Sequence, residues 1–184
     1  IITAIIVVRY GSFNNSVLLK SQAFELALDI REAQVFSVSV RGNAAQFRQP
    51  YGIYIADDAT TYDLFSDNSF NVDLPHVHAY PRYAAALKVG DSYVLDSQVR
   101  VSAIYASDTC IGVPASDEVG DVSISFIRPD FDAYLSSSNG GDRNKLSHAI
   151  NGSKAVCIEL RGSDGTSAEQ RGVIVTANGQ ITVE

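Results

Sequence analysis

Apolar and polar side chains alternate with a helical period over residues 1–41. Apolar residues recur at steps of three, four and seven positions, the spacing of one helix face, at Phe13, Val17, Phe24, Leu28, Val35 and Val38. A second, polar stripe consists of Gln22, Glu25, Asp29 and Glu32. The pattern predicts a single helix about 55–60 Å long at ~1.5 Å per residue. We expect it to loosen between Gly11 and Asn15 and to end near Arg41 and Gly42.

The two halves of this helix differ in character. Residues 1–15 are apolar nearly all round, which predicts burial in something outside this chain, through Ile1, Ile2, Ile5, Ile6, Val7 and Val8. Residues 16–41 are amphipathic and should pack on the rest of the chain through Val17, Phe24, Leu28, Val35 and Val38. Methionine is absent, so we expect that Ile1 is not the translational start and that the chain has been processed, has been truncated or begins at an interior point. About a dozen further apolar residues upstream would let the helix span a ~30 Å hydrocarbon core.

After Gly42 the apolar period changes to two, which predicts strands. Residues 51–55 and 61–65 flank a turn at 57–60, and residues 172–176 and 180–183 flank Asn178-Gly179, a strong hairpin signal. Further strands are predicted at 92–95, 99–105, 122–127 and 155–160, with 122–127 half-buried. Residues 66–91 read as irregular and 136–142 as a loop. The predicted fold is α+β: a long N-terminal helix packed on residues 42–184, a mostly antiparallel head of about seven or eight strands.

Composition and charge exclude several classes of protein. With 46% hydrophobic residues the chain is not intrinsically disordered. A net charge of −7 argues against bulk electrostatic binding to nucleic acid or anionic lipid. The two cysteines, Cys110 and Cys157, are too few for a disulfide scaffold and lack metal-site spacing. They are either buried free thiols or one disulfide, and the residues leave both alternatives open.

Few residues suggest chemistry, and none forms a recognised motif. His76 and His78 share one side of an extended segment and could hold a metal. Aspartate pairs could offer oxygen ligands to Ca²⁺, at Asp57 and Asp58, Asp117 and Asp121, and Asp130 and Asp132. There is no Gly-x-Ser-x-Gly elbow and no phosphate-binding glycine loop. We therefore predict no enzymatic activity and no cofactor, with calcium kept as an alternative.

Three segments resemble one family. Residues 1–10, Ile-Ile-Thr-Ala-Ile-Ile-Val-Val-Arg-Tyr, resemble the second half of the hydrophobic segment of type IV prepilins. Residues 21–34 look like the helix of type II secretion pseudopilins of the GspH/FimT type, and residues 178–183 are similar to their closing hairpin. The family's peptidase site, aromatic first residue and glutamate would lie upstream of Ile1. The proline that often bends the family's helix is absent, with Val8 and Arg9 near its place.

The resemblance implies a structural subunit of an extracellular pilus or pseudopilus. Such a subunit is anchored in the inner membrane before assembly and then packs, with identical copies or other pilins, through its apolar helix. Its location is the cell envelope. The alternative is a minor pilin or secreted β-domain at a filament tip, an adhesin or a DNA-capture module, reading its target through residues 66–91. Some pseudopilins hold calcium in a C-terminal loop. Acidic residues among Arg41, Arg48, Arg161 and Arg171 lead us to expect no nucleic-acid partner.

Overall fold

A computed structural model describes residues 2–39, 49–67, 80, 86–127, 131–137, 149–150, 152–162 and 169–184. Within residues 2–14 it describes the helix but not the side chains. Several predictions fall outside these ranges: the histidines at 76 and 78, Asp130, the helix end at Arg41 and Gly42, and most of residues 66–91 and 136–142.

The N-terminal helix, α1, runs from Ile2 to Val38, 37 residues. It is continuous through Gly11 and Asn15, so the predicted loosening there is wrong. A glycine inside a helix costs only about 1 kcal/mol, and the helix formers that follow compensate once their turns are packed in the core. The last turn is closed by Ser39, whose amide donates to the Val35 carbonyl at 2.8 Å. The side chain of Ser37 donates to the Gln34 carbonyl at 2.7 Å, which satisfies another terminal acceptor.

Ten strands occur in the described residues, and all of their pairings are antiparallel. They are β1 (Tyr51–Ala56), β2 (Thr61–Asp67), β3 (Ala86–Lys88), β4 (Tyr93–Val94), β5 (Val99–Tyr105), β6 (Asp121–Phe126), β7 (Ala133–Ser136), β8 (Ala155–Gly162), β9 (Gln170–Thr176) and β10 (Ile181–Val183). The first sheet has the order β3-β2-β1-β6-β7, with β4 also on β2, and the second has the order β10-β9-β8-β5. Both predicted hairpins, β1–β2 and β9–β10, are confirmed.

The strand predictions missed some short elements and one burial pattern. β3 lies where irregular chain was predicted, and no strand was predicted at the position of β7. β6 was expected to be half-buried, but both of its faces are covered. Its apolar face enters the core, and on its other face Ser123 is fully buried and donates to the Tyr80 carbonyl at 2.9 Å. Alternation predicts which side chains share a face, but it does not predict what later covers the polar face.

One hydrophobic core joins the helix to both sheets. The inner stripe of α1 is buried in it, with at most 1% of each side chain exposed, and consists of Leu19, Ala23, Leu26, Ile30 and Ala33. The helix contacts β1 and β6 of the first sheet and β8, β9 and β10 of the second. The protein is therefore an α+β fold with one N-terminal helix on antiparallel sheets, as predicted.

The residues predicted to join the helix to the head are wrong in this structure. Val17, Phe24, Leu28 and Val35 are 53%, 49%, 68% and 53% exposed, and Val38 is half-buried. Successive residues turn by about 100° in a helix, which places these four roughly 150° from the inner stripe. The alanines of the inner stripe explain why this face of the helix packs on the sheets, because small side chains let the helix approach the sheets closely. Leu19, Leu26 and Ile30 fill the space between these alanines in the core.

A hydrogen-bonded side chain fixes the far end of the helix. Gln34 is 4% exposed. Its amide nitrogen donates to the carbonyls of Phe131 at 3.0 Å and Gly179 at 3.2 Å. Gly179 has a φ of +78°, and a Cβ there would lie 2.0 Å from the Phe131 carbonyl oxygen, so this turn requires glycine. The helix is thereby tied to the β9–β10 hairpin and to the residues that precede β7.

A disulfide joins Cys110 to Cys157, with the two Cα atoms 5.5 Å apart. Of the two alternatives that the sequence left open, the structure therefore has the bridge. It fastens the segment between β5 and β6 to β8, over the face of the second sheet that points away from the main core. Gly172 on β9 allows this contact, because a Cβ there would lie 2.0 Å from the Cys110 sulfur. Ala155, Ile174 and the half-buried Tyr105 complete this smaller apolar cluster.

Candidate functional site

The largest unexplained feature of the described chain is a row of exposed apolar side chains on α1. We name Val17, Phe24, Leu28 and Val35 the outer stripe. Their spacing of seven, four and seven residues places them at four a and d positions of a heptad, while Ser21 and Arg31 occupy the two positions between them. Isolated exposed apolar residues are ordinary, whereas several on one face of a helix indicate a binding surface. This row is therefore the candidate functional site.

Opposite charges border the outer stripe. Lys20 and Arg31 lie along one edge, about 50° round the helix from its centre, and Glu25 and Glu32 lie along the other at about 70°. All four side chains are exposed. The Lys20 ammonium sits 6.0 Å from the centre of the Phe24 ring. Neither cation pairs with a carboxylate in the part of the chain that the structure describes. The basic edge thus remains available to another molecule.

The acidic side of the helix also contacts the first sheet. The Tyr62 hydroxyl donates to an Asp29 oxygen at 2.5 Å, and the Tyr93 hydroxyl donates to Glu32 at 3.3 Å. The two tyrosine rings are stacked, with centres 5.2 Å apart. Burial raises the pKa of the Asp29 carboxyl, and the hydrogen bond from Tyr62 opposes this rise. The nearby carboxylates of Glu25 and Glu32 raise the pKa of Asp29 further. Burial and the Asp29 carboxylate likewise raise the pKa of Tyr62. This polar contact orients the outer stripe away from the head.

Asp29 is expected to make stability depend on pH in a defined direction. Because its pKa is higher in the folded protein than in the unfolded chain, it contributes stability that is fully present below the unfolded value of about 3.9. That contribution is lost as the pH rises through the folded pKa. An asparagine at this position cannot ionise, so the stability of Asp29→Asn relative to wild type should fall as the pH is lowered from 7 to 4. Thermal unfolding across this range measures it, with Asp108→Asn in an exposed loop as the control. A constant difference would contradict the assignment.

The apolar N-terminal residues are described only in part. Ile2, Ile5, Ile6, Val7 and Val8 are helical, their side chains are not described, and Ile1 lies outside the described residues. Their role in packing between helices therefore stays a prediction. No described helix combines the length and the apolar character that crossing a membrane requires.

Among the described residues, no group of three or more His, Cys, Asp or Glu side chains could hold a metal ion. Asp58 forms an ion pair with Arg100 at 2.5 Å. An Asp121 oxygen accepts a hydrogen bond from Tyr54 at 3.2 Å, while Asp117 accepts one from Ser116 at 3.2 Å. The structure thus gives these aspartates protein partners. The expectation that the chain uses no cofactor stays a prediction.

Ser92 and Lys88 form an arrangement that resembles a nucleophile with a base. The Lys88 ammonium donates to the Ser92 hydroxyl at 2.5 Å, and Ser92 donates to Asp63 at 2.7 Å. Lys88 also forms an ion pair with Asp63 at 3.0 Å. Against the effect of burial, hydrogen bonds from Ser92 and Lys88 hold the pKa of Asp63 below its ordinary value. In this arrangement Lys88 is the donor to Ser92 and Ser92 the donor to Asp63, so the three side chains link β3, β2 and the turn before β4.

The two described arginines of the suggested basic patch are engaged within the chain. Arg161 pairs with the buried Glu159 at 2.7 Å and donates to Gln170 at 2.9 Å. Arg171 donates to the Gln170 carbonyl at 2.8 Å and to Ser16 of the helix at 3.4 Å. Arg41 and Arg48 lie outside the described residues. The arginines that are described therefore serve the sheet and its contact with the helix.

An open pocket of about 420 Å³ lies beside the β9–β10 hairpin, lined by Asp108, Ser153, Lys154, Ala155, Thr176, Ala177 and Asn178. Among the described residues, its lining contains one cation, Lys154, one carboxylate, Asp108, and no aromatic side chain. The pocket therefore has charged side chains in its lining, in contrast to the apolar outer stripe. The sequence analysis had identified the residues of the outer stripe but had predicted that they pack on the head.

Comparison with known proteins adds no neighbour, since no protein-family model, curated protein or solved structure matches the chain.

Proposed function

We propose that the protein is a structural subunit of an extracellular pilus-like or pseudopilus filament that assembles through its N-terminal helix. The observation that carries the proposal is the outer stripe: α1 has two apolar faces, and the head covers only one of them. Burying such side chains gains about 25 cal/mol per Å². A second helix laid along the stripe would supply that burial.

The arrangement of the head supports the same role. Both sheets hold α1 along its inner stripe, so that the outer stripe of the same helix faces away from the head. A head fixed in this way could stand outside a bundle of helices. An interface between identical copies that does not close on itself produces a helical filament. The apolar residues upstream of the stripe would extend the bundle and anchor the subunit in the inner membrane before assembly.

The alternative role, a tip-located binding module for DNA, a glycan or another surface, rests on residues 66–91. Most of that segment lies outside the described residues, whereas the outer stripe is described side chain by side chain. The filament role is therefore preferred. Counting the copies in an isolated filament separates the roles, because a structural subunit is present in thousands and a tip subunit in one or a few.

Leu28→Asp tests the proposal directly. Leu28 is 68% exposed in the single chain, so the variant should fold normally. In an assembled filament each copy would bury an unpaired carboxylate, which costs several kcal/mol per interface. We expect no filaments by electron microscopy, together with a wild-type circular dichroism spectrum.

Leu87→Asp is the matched control, because Leu87 is 48% exposed on β3 and lies off the helix. It introduces the same charge and should leave filament yield unchanged. Normal filaments from Leu28→Asp would refute assembly through the outer stripe. The absence of filaments from the wild-type chain under conditions in which it is folded would refute the filament role itself.

A further inference from the structure

The pocket beside the β9–β10 hairpin is built from two segments that the fold holds in place. In one segment, the Ala177 amide donates to the Lys154 carbonyl at 2.7 Å, which sets Lys154 next to the hairpin turn. In the other, Asp108 lies two residues before Cys110, whose disulfide with Cys157 fastens that segment to β8. A backbone hydrogen bond and a disulfide therefore fix the positions of the two sides of the pocket.

Small side chains leave the space between these two segments open. Ala155 and Ala177 both line the pocket, and both are buried. A larger side chain at either position would fill part of the space, which has a volume of about 420 Å³. Pockets that bind small molecules commonly enclose about 300–1,000 Å³. The volume is therefore sufficient for a small ligand whose carbon atoms contact the alanines.

Two opposite charges line this space without pairing with each other. Lys154 and Asp108 both line the pocket, and both are exposed. Neither side chain forms an ion pair or a hydrogen bond within the part of the chain that the structure describes. The ammonium and the carboxylate are therefore too far apart to pair directly. Opposite charges held apart in one pocket can each bind one end of a molecule that carries both charges.

The hairpin turn adds a third polar group to the pocket. Asn178 Oδ1 accepts hydrogen bonds from the Thr176 hydroxyl and from the Gln180 amide, the latter at 3.2 Å. The side-chain nitrogen of Asn178 has no partner among the described residues, so it can donate to a ligand from the same segment as Lys154. Ammonium and amide N–H groups both donate to carboxylates. The hairpin side thus suits a carboxylate, and the Asp108 side suits an ammonium group.

We propose that this pocket binds a small zwitterion of the α-amino acid class. The ligand's carboxylate accepts hydrogen bonds from Lys154 and Asn178, and its ammonium group donates to Asp108. The buried alanines contact its carbon side chain. The inference is independent of the filament proposal, because the pocket lies beside the β9–β10 turn and shares no residue with the outer stripe.

Saturation-transfer NMR of L-alanine with the oxidised full chain tests the inference, and it can be read whether the chain is monomeric or assembled. We expect a saturable signal with a dissociation constant in the millimolar range, because each exposed charge pair contributes weakly. N-acetyl-L-alanine lacks the ammonium group and L-alaninamide lacks the carboxylate. Each of these two probes should bind about fivefold more weakly than L-alanine.

Variants of the two charged residues complete the test. Lys154→Gln and Asp108→Asn should each weaken the binding of L-alanine about fivefold. The matched controls are Lys20→Gln on α1 and Asp91→Asn between β3 and β4, which make the same changes in charge at exposed positions and should bind as the wild type does. The inference is overturned if L-alanine gives no saturable signal, if the three probes bind equally, or if all four variants bind equally.

Discussion

Replacing Leu26 with alanine is expected to lower the free energy of unfolding by about 2–5 kcal/mol. Leu26 is fully buried on the inner stripe, between the helix and both sheets. Truncation removes its contacts and leaves a cavity, while alanine keeps the helix propensity. Urea denaturation followed by circular dichroism measures the change as a lower midpoint with a similar slope.

Leu28→Ala provides the matched comparison, two residues away and with the same chemical change. Leu28 is 68% exposed on the outer stripe, so its truncation should alter stability by no more than about 0.5 kcal/mol. The pair of variants decides which face of α1 the head covers. Equal losses, or a larger loss at position 28, would show that the helix lies on the head through the outer stripe.

Removing the disulfide is the second change with a large expected effect. The bridge between Cys110 and Cys157 closes a loop with a sequence separation of 47 residues. In the chain-entropy description a cross-link of that span stabilises the folded state by about 4 kcal/mol at 25 °C. The Cys110→Ala, Cys157→Ala variant should therefore unfold at a lower denaturant concentration than the oxidised wild type. Alanine avoids placing a buried hydroxyl at Cys157, which is fully buried.

Reduction of the wild-type protein supplies the control for this comparison. Dithiothreitol should lower the stability of the wild type towards that of the double variant and leave the variant unchanged. Labelling of the unreduced, denatured chain with a thiol reagent should detect no free cysteine. Two reactive thiols, or equal stability of the oxidised wild type and the variant, would show that the bridge is absent from the protein in solution.

The local signals in the sequence were sufficient for most of the fold. The pairing of β9 with β10 followed from Asn178-Gly179, whose turn preference is intrinsic to the backbone. The strands β1, β2 and β5 followed from their period and length. The short strands β3 and β7 were missed because three or four residues leave little periodic pattern, and their ladders depend on neighbours distant in the chain.

The assignment of the helix faces shows where sequence reasoning stops. Both stripes of α1 repeat with a helical period, and the outer one has no alanine, so hydrophobicity alone favoured it as the face towards the head. Which face a head covers depends on the shape of the surface that meets the helix. The small residues Ala23 and Ala33 were the available signal, since they permit close packing on a sheet. The exposed stripe is consequently a surface that the sequence identified and the structure reassigned.

The attachment of the helix also has a mechanical consequence. Because α1 contacts strands of both sheets and Gln34 links its last turns to Phe131 and Gly179, a pull along the helix axis is expected to load many contacts at once. Force in that direction shears the interface as a whole, whereas a pull across it would separate the contacts one after another. The attachment is therefore expected to resist tension along the helix axis most strongly, and its weak direction is the one that lifts the helix sideways off the head.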